Sequence, residues 1–162
     1  MFADIARVGS AGMGAMGAGI ARRLLDAGYD VVGWNRTRAR AQPLLDAGMR
    51  RANTPRELAE SVDVVFTMLT NTGALEEVAG GDAAGMLEGL SSGKVWADLS
   101  TIAPDASVAL AERVATRGAA FLDCPVSGSP ATLAAGQLSV MVAATERPSI
   151  TSPRCCTRSV RG

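Results

Sequence analysis

Short apolar runs alternate with longer amphipathic stretches along most of the chain, from Ile5 to Val142. Apolar runs of about four to eight residues predict buried strands, whereas apolar residues at helical spacing predict amphipathic helices. This alternation is typical of a parallel sheet whose strands are connected by helices. Strands are predicted at 5–10, 30–34, 49–52, 62–69, 95–99, 120–123 and 138–142. The expected fold is α/β, with a doubly wound, mostly parallel sheet.

The predicted helices have recognisable ends. Helices at 16–27 and 38–47 each stop before a glycine, Gly28 and Gly48, which suits a helix C-terminus. Pro55 and Pro104 lie where a first helical residue is expected, and the second of these helices is predicted to reach residue 117. Residues 1–144 are therefore predicted to form one domain, and 48% apolar residues are enough to give it a core.

A glycine-rich segment follows the first predicted strand and leads directly into the first helix. In a G-x-G-x-x-G loop the glycines allow a tight turn, close approach to a pyrophosphate and close helix packing, with phosphates at the helix N-terminus. The strand, loop and helix context favours a Rossmann-type dinucleotide-binding domain over an ordinary turn. Within the loop, the two methionines are favoured as packing residues. The loop consists of Gly12, Met13, Gly14, Ala15, Met16 and Gly17, and is called the glycine loop below.

The end of the second predicted strand indicates which dinucleotide binds. An NAD site usually has Asp or Glu about 20 residues after the glycine loop, but this chain has Asn35, Arg36 and Thr37. A neutral Asn does not repel a 2′-phosphate, and an arginine can pair with it, so NADP is predicted over NAD. The alternative is that these arginines are solvated residues, an interpretation that we prefer for Arg38 and Arg40 but not for Arg36.

Residues 8–37 resemble the cofactor-binding start of the β-hydroxyacid dehydrogenase family, which includes 3-hydroxyisobutyrate and 6-phosphogluconate dehydrogenases. Three later segments also resemble that family. Met68-Leu69 is similar to its Met-Leu-Pro, with Thr70 in place of the proline. Residues 98–104 are similar to D-x-S-T-x-x-P, and residues 123–128 to D-x-P-V-S-G, with Ser129 where a second glycine is usual. Imine reductases share the glycine loop and Asn-Arg-Thr, whereas Pro-Val-Ser-Gly favours the hydroxyacid branch.

The resemblance implies hydride transfer between NADP(H) and a small 3-hydroxyacid or semialdehyde. It implies that the backbone of Met68 and Leu69 lies along the cofactor and that Thr101 contacts its nicotinamide side. Ser127 and Gly128 would hold the substrate carboxylate. All of these residues follow predicted strands, and ligands of open parallel sheets bind at the carboxyl ends of the strands. As a further partner, the resemblance implies a second copy of the chain, in a homo-oligomer.

The resemblance covers residues 6–142 and does not include the family's helical second domain, which carries the catalytic lysine. We therefore expect a truncated chain without a catalytic residue of its own. The single lysine, Lys94, precedes its predicted strand, so we expect a solvated loop residue at the amino end of the sheet. The absence of histidine excludes imidazole catalysis and most zinc sites, and no metal site is predicted.

Residues 145–162 differ in composition from the rest of the chain. They contain four arginines and six Ser or Thr residues, with only Ile150 and Val160 as aliphatic residues. Such a segment buries too little apolar surface to order itself, so it is predicted to be disordered. A sharper hypothesis is a shifted reading frame, because back-translation from Ala143 in another frame can encode an amphipathic helix ending in glycine.

Charge and cysteine content limit the partners and the location. The 16 basic and 16 acidic groups balance, so neither nucleic acid nor a membrane surface is an expected partner. Cys124, Cys155 and Cys156 form no C-x-x-C pair, and no run of about 18 apolar residues occurs, which favours a cytoplasmic location. Two alternatives to an oxidoreductase stay open: a non-catalytic NADP-binding or assembly module, and an unstable pseudogene product.

Overall fold

The computed structural model describes residues 7–80 and 82–144, and contains a sheet with a parallel centre. The predicted strand start at residues 5–6 and the predicted tail at 145–162 lie outside these residues. The strands are β1 (Arg7–Ala11), β2 (Asp30–Trp34), β3 (Arg50–Arg51), β4 (Val64–Thr67), β5 (Val95–Asp98), β6 (Ala120–Asp123), β7 (Val126–Ser127), β8 (Ser139–Val140) and β9 (Ala143–Ala144).

The strand order is β3-β2-β1-β4-β5-β6-β9, and only β9 pairs in the antiparallel sense. Strand β1 lies between β2 and β4, with Val8 opposite Val31 on one side and Val64 on the other. The chain thus builds outward from β1 in both directions, which is a doubly wound sheet. The predicted fold class is confirmed, and the predictions at 30–34 and 120–123 coincide with β2 and β6.

Helices cover the sheet and connect its strands. They are α1 (Ala15–Asp26), α2 (Gln42–Asp46), α3 (Pro55–Ser61), α4 (Thr72–Gly80), α5 (Met86–Gly89), α6 (Pro104–Ala115) and α7 (Pro130–Ala134). The helix predicted at 38–47 is instead a 3-10 turn, Arg38–Ala41, followed by α2. Pro43 accounts for the break, since it lacks the N–H that an α-helix would direct to the carbonyl of Ala39.

Apolar side chains pack on both faces of the sheet. Successive strand residues point to opposite faces, and accordingly Val31 and Val32 belong to two different buried clusters. The larger cluster contains fully buried Trp96, whose ring meets Phe121 edge-on at a centroid distance of 5.9 Å. Burial on both faces explains why the central strands are continuous apolar runs. Among the described residues, no helix is long and apolar enough to cross a membrane.

The strand predicted at 138–142 does not join the parallel sheet, so that part of the prediction is wrong. Strand β8 pairs with β7 in a separate antiparallel sheet, and β9 is the antiparallel edge beside β6. The apolar run was misleading because its side chains are not buried. Val140, Met141 and Val142 are 50%, 56% and 43% exposed.

Lys94 lies at the amino end of β5, as predicted, but it is not a solvated loop residue. Its Nζ donates hydrogen bonds to the carbonyls of Ala59 at 2.6 Å, Val62 at 2.5 Å and Glu60 at 3.1 Å. These carbonyls belong to the last turn of α3 and the residue after it, where no further helical N–H is available. Lys94 therefore caps α3, and partial burial lowers its pKa.

Candidate dinucleotide-binding site

The loops that carry the predicted site residues all follow the carboxyl ends of parallel strands. The glycine loop follows β1, the Asn35 turn follows β2, and Met68 and Leu69 follow β4. Because these strands are parallel neighbours, their loops emerge at one edge of the sheet. The strand order reverses between β1 and β4, and ligands of such sheets bind at that point. The space at this edge, outside β1 and β4, is called the crevice below. Lys94 lies at the opposite edge.

Two glycines of the glycine loop are required by the packing of the protein itself. Gly12 has a φ of +94°, and a Cβ atom there would collide with the carbonyl oxygen of Met68. A Cβ atom at Gly17 would collide with the carbonyl oxygen of Gly12. A side chain at Gly12 would therefore push the loop away from the segment after β4. A side chain at Gly17 would push α1 away from the loop.

Gly14 differs from these two glycines. Its φ of −73° is accessible to any residue, and a Cβ atom there would have no neighbour within 4 Å. The folded chain therefore does not need a glycine at this position, and the space in front of it is open. Gly14 is also the N-cap of α1, whose first turn carries no acidic side chain. The positive end of α1 thus faces an open space, an arrangement that fits a bound phosphate.

Asn35 connects the glycine loop to the turn after β2. Its Oδ1 accepts a hydrogen bond from the backbone N–H of Met13 at 2.8 Å, and its Nδ2 donates to the carbonyl of Thr37 at 2.7 Å. An aspartate could accept the first bond but could not donate the second, so the amide is suited to both. The Met13 side chain is buried in the core, which agrees with its interpretation as a packing residue.

Arg36 extends from the same turn into solvent. Its side chain is 76% exposed, and Nη1 lies 3.0 Å from Oε2 of Glu77, which is on α4 and is 61% exposed. Thr37, Arg38 and Arg40 are also exposed. The structure therefore gives Arg36 a carboxylate partner that the sequence did not indicate.

A buried hydrogen-bond network joins the loops after β4 and β5. Asp98 Oδ1 accepts from the Thr67 hydroxyl at 2.6 Å and from the Ser100 hydroxyl at 2.7 Å. Ser100 Oγ accepts from the backbone N–H of Leu69 at 2.9 Å, and Trp96 Nε1 donates to Thr67 at 2.9 Å. This set, the Asp98 network, fixes the Leu69 backbone at the crevice.

Asp98 is fully buried, and burial raises the pKa of its carboxyl. Its Oδ2 has no hydrogen-bond partner among the described residues. The network was not predicted, although the sequence carried a signal for it. Thr67, Asp98 and Ser100 are polar residues at the ends of otherwise apolar strands, where a buried polar group needs a partner.

The remaining predicted residues lie beyond β5 and β6 at the same edge. Thr101, Ser127 and Gly128 are exposed, and Ser127 is the last residue of β7. Ser129, which replaces a usual glycine, caps α7: its Oγ accepts from Thr132 N, and Thr132 Oγ1 accepts from Ser129 N. That reciprocal capping gives the serine a structural role in this loop.

A doubly wound sheet with a glycine loop after its first strand and an open helix N-terminus beside it defines a Rossmann-type dinucleotide-binding domain. The sequence profile described as the NAD binding domain of 6-phosphogluconate dehydrogenase matches residues 7–151. The chain belongs to this family, and the resemblance is thereby confirmed. It is an NAD(P)-binding domain of the hydroxyacid dehydrogenase family.

Similar proteins include enzymes and a nuclear factor. The chloroplastic glyoxylate/succinic semialdehyde reductase 2 of Arabidopsis thaliana is 37% identical over 141 residues, which are 87% of this chain and 39% of that protein. The cytokine-like nuclear factor N-PAC of Danio rerio is 35% identical over 141 residues, which are 87% of this chain and 30% of the N-PAC chain.

Among solved structures, Psf3 in complex with NADP+ and 2-OPP superimposes with a TM-score of 0.80 at 36% identity, over 83% of this chain and 48% of Psf3. The NADP+ in that complex agrees with the predicted cofactor. This chain spans less than half the length of each of these three proteins. The cytoplasmic location stays a prediction.

Proposed function

We propose that this chain binds NADP in the crevice, as the cofactor-binding part of an oxidoreductase that interconverts a small 3-hydroxyacid and its semialdehyde. The observation that carries the proposal is the open space at Gly14, in front of the unneutralised N-terminus of α1. The semialdehyde reductase of Arabidopsis and the NADP+-bound Psf3 structure support the chemistry and the cofactor.

In this proposal, each loop at the crevice contacts one part of the ligands. The backbone N–H groups of the glycine loop bind the pyrophosphate, and Asn35, Arg36 and Thr37 surround the adenosine ribose. Bound NADP supplies a hydride acceptor at its nicotinamide ring. The groups around that end are the backbone of Met68 and Leu69, the Thr101 side chain, and Ser127 with Gly128, which hold the substrate carboxylate.

The preference for NADP depends on Arg36. A 2′-phosphate would compete with Glu77 for this guanidinium, of which Nη1 contacts the carboxylate, and ion pairs as exposed as this one contribute only about 0–1 kcal/mol. Charge-assisted hydrogen bonds contribute about 1.5–3 kcal/mol each. The phosphate therefore competes successfully with the carboxylate, and NAD has no equivalent group.

Calorimetric titration with NADP and NAD tests the proposal. NADP should bind more tightly, and Arg36→Ala should remove most of the difference, about 1–3 kcal/mol. Arg40→Ala is the matched control, because Arg40 is also an exposed arginine and lies in the 3-10 turn that follows. Equal binding of NAD and NADP, or a preference that survives in Arg36→Ala, would refute the phosphate assignment.

A second candidate function is NADP binding without catalysis by this chain. It is favoured by the position of the only lysine, which caps α3 at the edge of the sheet opposite the crevice, and by the absence of histidine. Cooperative unfolding with a midpoint that rises with NADP concentration would support binding by a stable domain. A chain that unfolds without cooperativity would instead support the pseudogene interpretation.

A further inference from the structure

The ion pair between Arg36 and Glu77 connects two loops of the crevice. Arg36 lies just after β2, and Glu77 lies on α4, which follows β4. Since β1 lies between β2 and β4, the pair connects the elements on either side of β1, and the glycine loop follows β1. The adenosine ribose of a dinucleotide held by that loop would approach the same guanidinium.

We propose that Glu77 is a specificity-determining residue that weakens the preference of this chain for NADP over NAD. The inference rests on the proposed function. The carboxylate of Glu77 accepts a hydrogen bond from Nη1 of the guanidinium that the 2′-phosphate needs, and so competes with that phosphate. After NADP has bound, the carboxylate is still close to that phosphate and repels it, whereas NAD brings no charge to this position.

The exposure of the pair determines the size of the effect. With side chains 76% and 61% exposed, Arg36 and Glu77 are separated easily, so Glu77 modulates phosphate binding and does not block it. A phosphate monoester carries a charge of about −1.5 to −2 at neutral pH, so its repulsion by a nearby carboxylate adds to the competition. Together these contributions weaken NADP binding about 3- to 10-fold at low ionic strength, and less in salt.

The neighbouring residue provides a matched control. Glu76 lies on the same helix and carries the same charge, but its carboxylate pairs with Arg113 at 2.5 Å and not with Arg36. Glu76→Gln therefore changes the net charge of α4 as Glu77→Gln does, while the Arg36 partner stays in place. A difference between the two variants isolates the contact with Arg36 from the general charge of the helix.

The experiment titrates the 162-residue chain and both variants with NADP, NAD and 2′,5′-ADP, which carries the phosphate without the nicotinamide. Titrations are made at about 20 mM and about 300 mM salt, where the screening lengths differ roughly fourfold. Glu77→Gln should tighten NADP and 2′,5′-ADP about 3- to 10-fold at low salt, and less at high salt. NAD affinity should stay within about twofold, and Glu76→Gln should change neither ratio.

Two results would overturn the proposal. The first is an unchanged ratio of NADP to NAD affinity in Glu77→Gln, which includes equal tightening of both cofactors. The second is the same shift of that ratio in Glu76→Gln. Glu77→Ala repeats the test without the side-chain amide that glutamine introduces. Circular dichroism checks that every variant is folded. The failure of the proposed function would be a different result. In that case the folded wild-type chain would bind neither NADP nor 2′,5′-ADP.

Discussion

Substitution of the three motif glycines should separate cofactor binding from folding. Gly14 is the informative position, because a Cβ atom there would meet nothing and its φ of −73° is ordinary. Gly14→Ala and Gly14→Val should therefore fold normally. Both should lose dinucleotide affinity, because the added side chain fills the space through which the backbone N–H groups reach a pyrophosphate.

The magnitudes follow from opposing contributions. Replacing glycine by alanine at an unstrained position stabilises by about 0.4–1 kcal/mol through the unfolded state, whereas alanine is a poorer N-cap by a similar amount. The free energy of unfolding of Gly14→Ala should thus stay within about 1 kcal/mol of wild type. Loss of one or two charge-assisted hydrogen bonds, about 1.5–3 kcal/mol each, lowers affinity at least about tenfold for Ala and further for Val.

Gly12→Ala and Gly17→Ala are the controls, since each places its methyl group against a backbone carbonyl oxygen. Both should be destabilised by more than about 1 kcal/mol, with Gly12→Ala adding strain at positive φ. Urea unfolding gives the stabilities, and calorimetry with NADP gives the affinities. Normal binding by Gly14→Val would mean that the glycine loop is only structural, and an unfolded Gly14→Val would contradict the open space at Gly14.

Two further predictions concern Asp98 and catalysis. Because burial raises the native pKa of Asp98, the native state keeps a proton that the unfolded state has lost, so the stability that this group contributes falls as pH rises through the raised pKa. Asp98→Asn is the reference, because it keeps the acceptor oxygen but does not titrate. In urea unfolding, the free energy of unfolding of wild type minus that of Asp98→Asn should therefore fall from about pH 4 upward. A difference that stays flat or rises with pH would contradict this. The purified chain should bind NADP but form no NADPH from short 3-hydroxyacids, because oxidation of the hydroxyl needs a base at the crevice. Lys94 faces away from the crevice, Asp98 is buried, and Asp123 accepts a hydrogen bond from Ser107. Turnover that is unchanged in Lys94→Ala would show that another group is the base.

The parts of the fold that were predictable depend on local pattern and on burial. Strands β2 and β6 coincide with their predicted ranges because each is a mainly apolar run enclosed by turn residues, with buried or partly buried side chains in the sheet. The run at 138–142 has the same pattern, but its side chains are exposed and its strands pair elsewhere. Hydrophobic pattern alone does not specify a partner strand, so the structure was needed to separate these cases.

The parts of the site that were predictable are likewise those whose cause is local. Gly12, Gly14 and Gly17 were predictable from their spacing within six residues, whereas the carbonyl that excludes a side chain at Gly12 belongs to the distant Met68. The Asp98 network and the Lys94 cap join residues that are about 30 or more positions apart. Polar residues at the ends of apolar strands indicate that a partner is needed, but not which residue it is, because each contact depends on which loops the sheet brings together.

Arg36 shows the consequence of this difference for function. The sequence motif gives the charge that can attract a 2′-phosphate, and from it alone NADP is the natural prediction. Its partner Glu77 is 41 residues away and meets it only because β2 and β4 flank β1. As proposed, the guanidinium is shared between a carboxylate of the protein and a phosphate of the ligand, and the strength of the preference is a difference between two interactions. In this proposal, cofactor preference depends on the Arg36–Glu77 pair and not on the Asn-Arg-Thr motif alone.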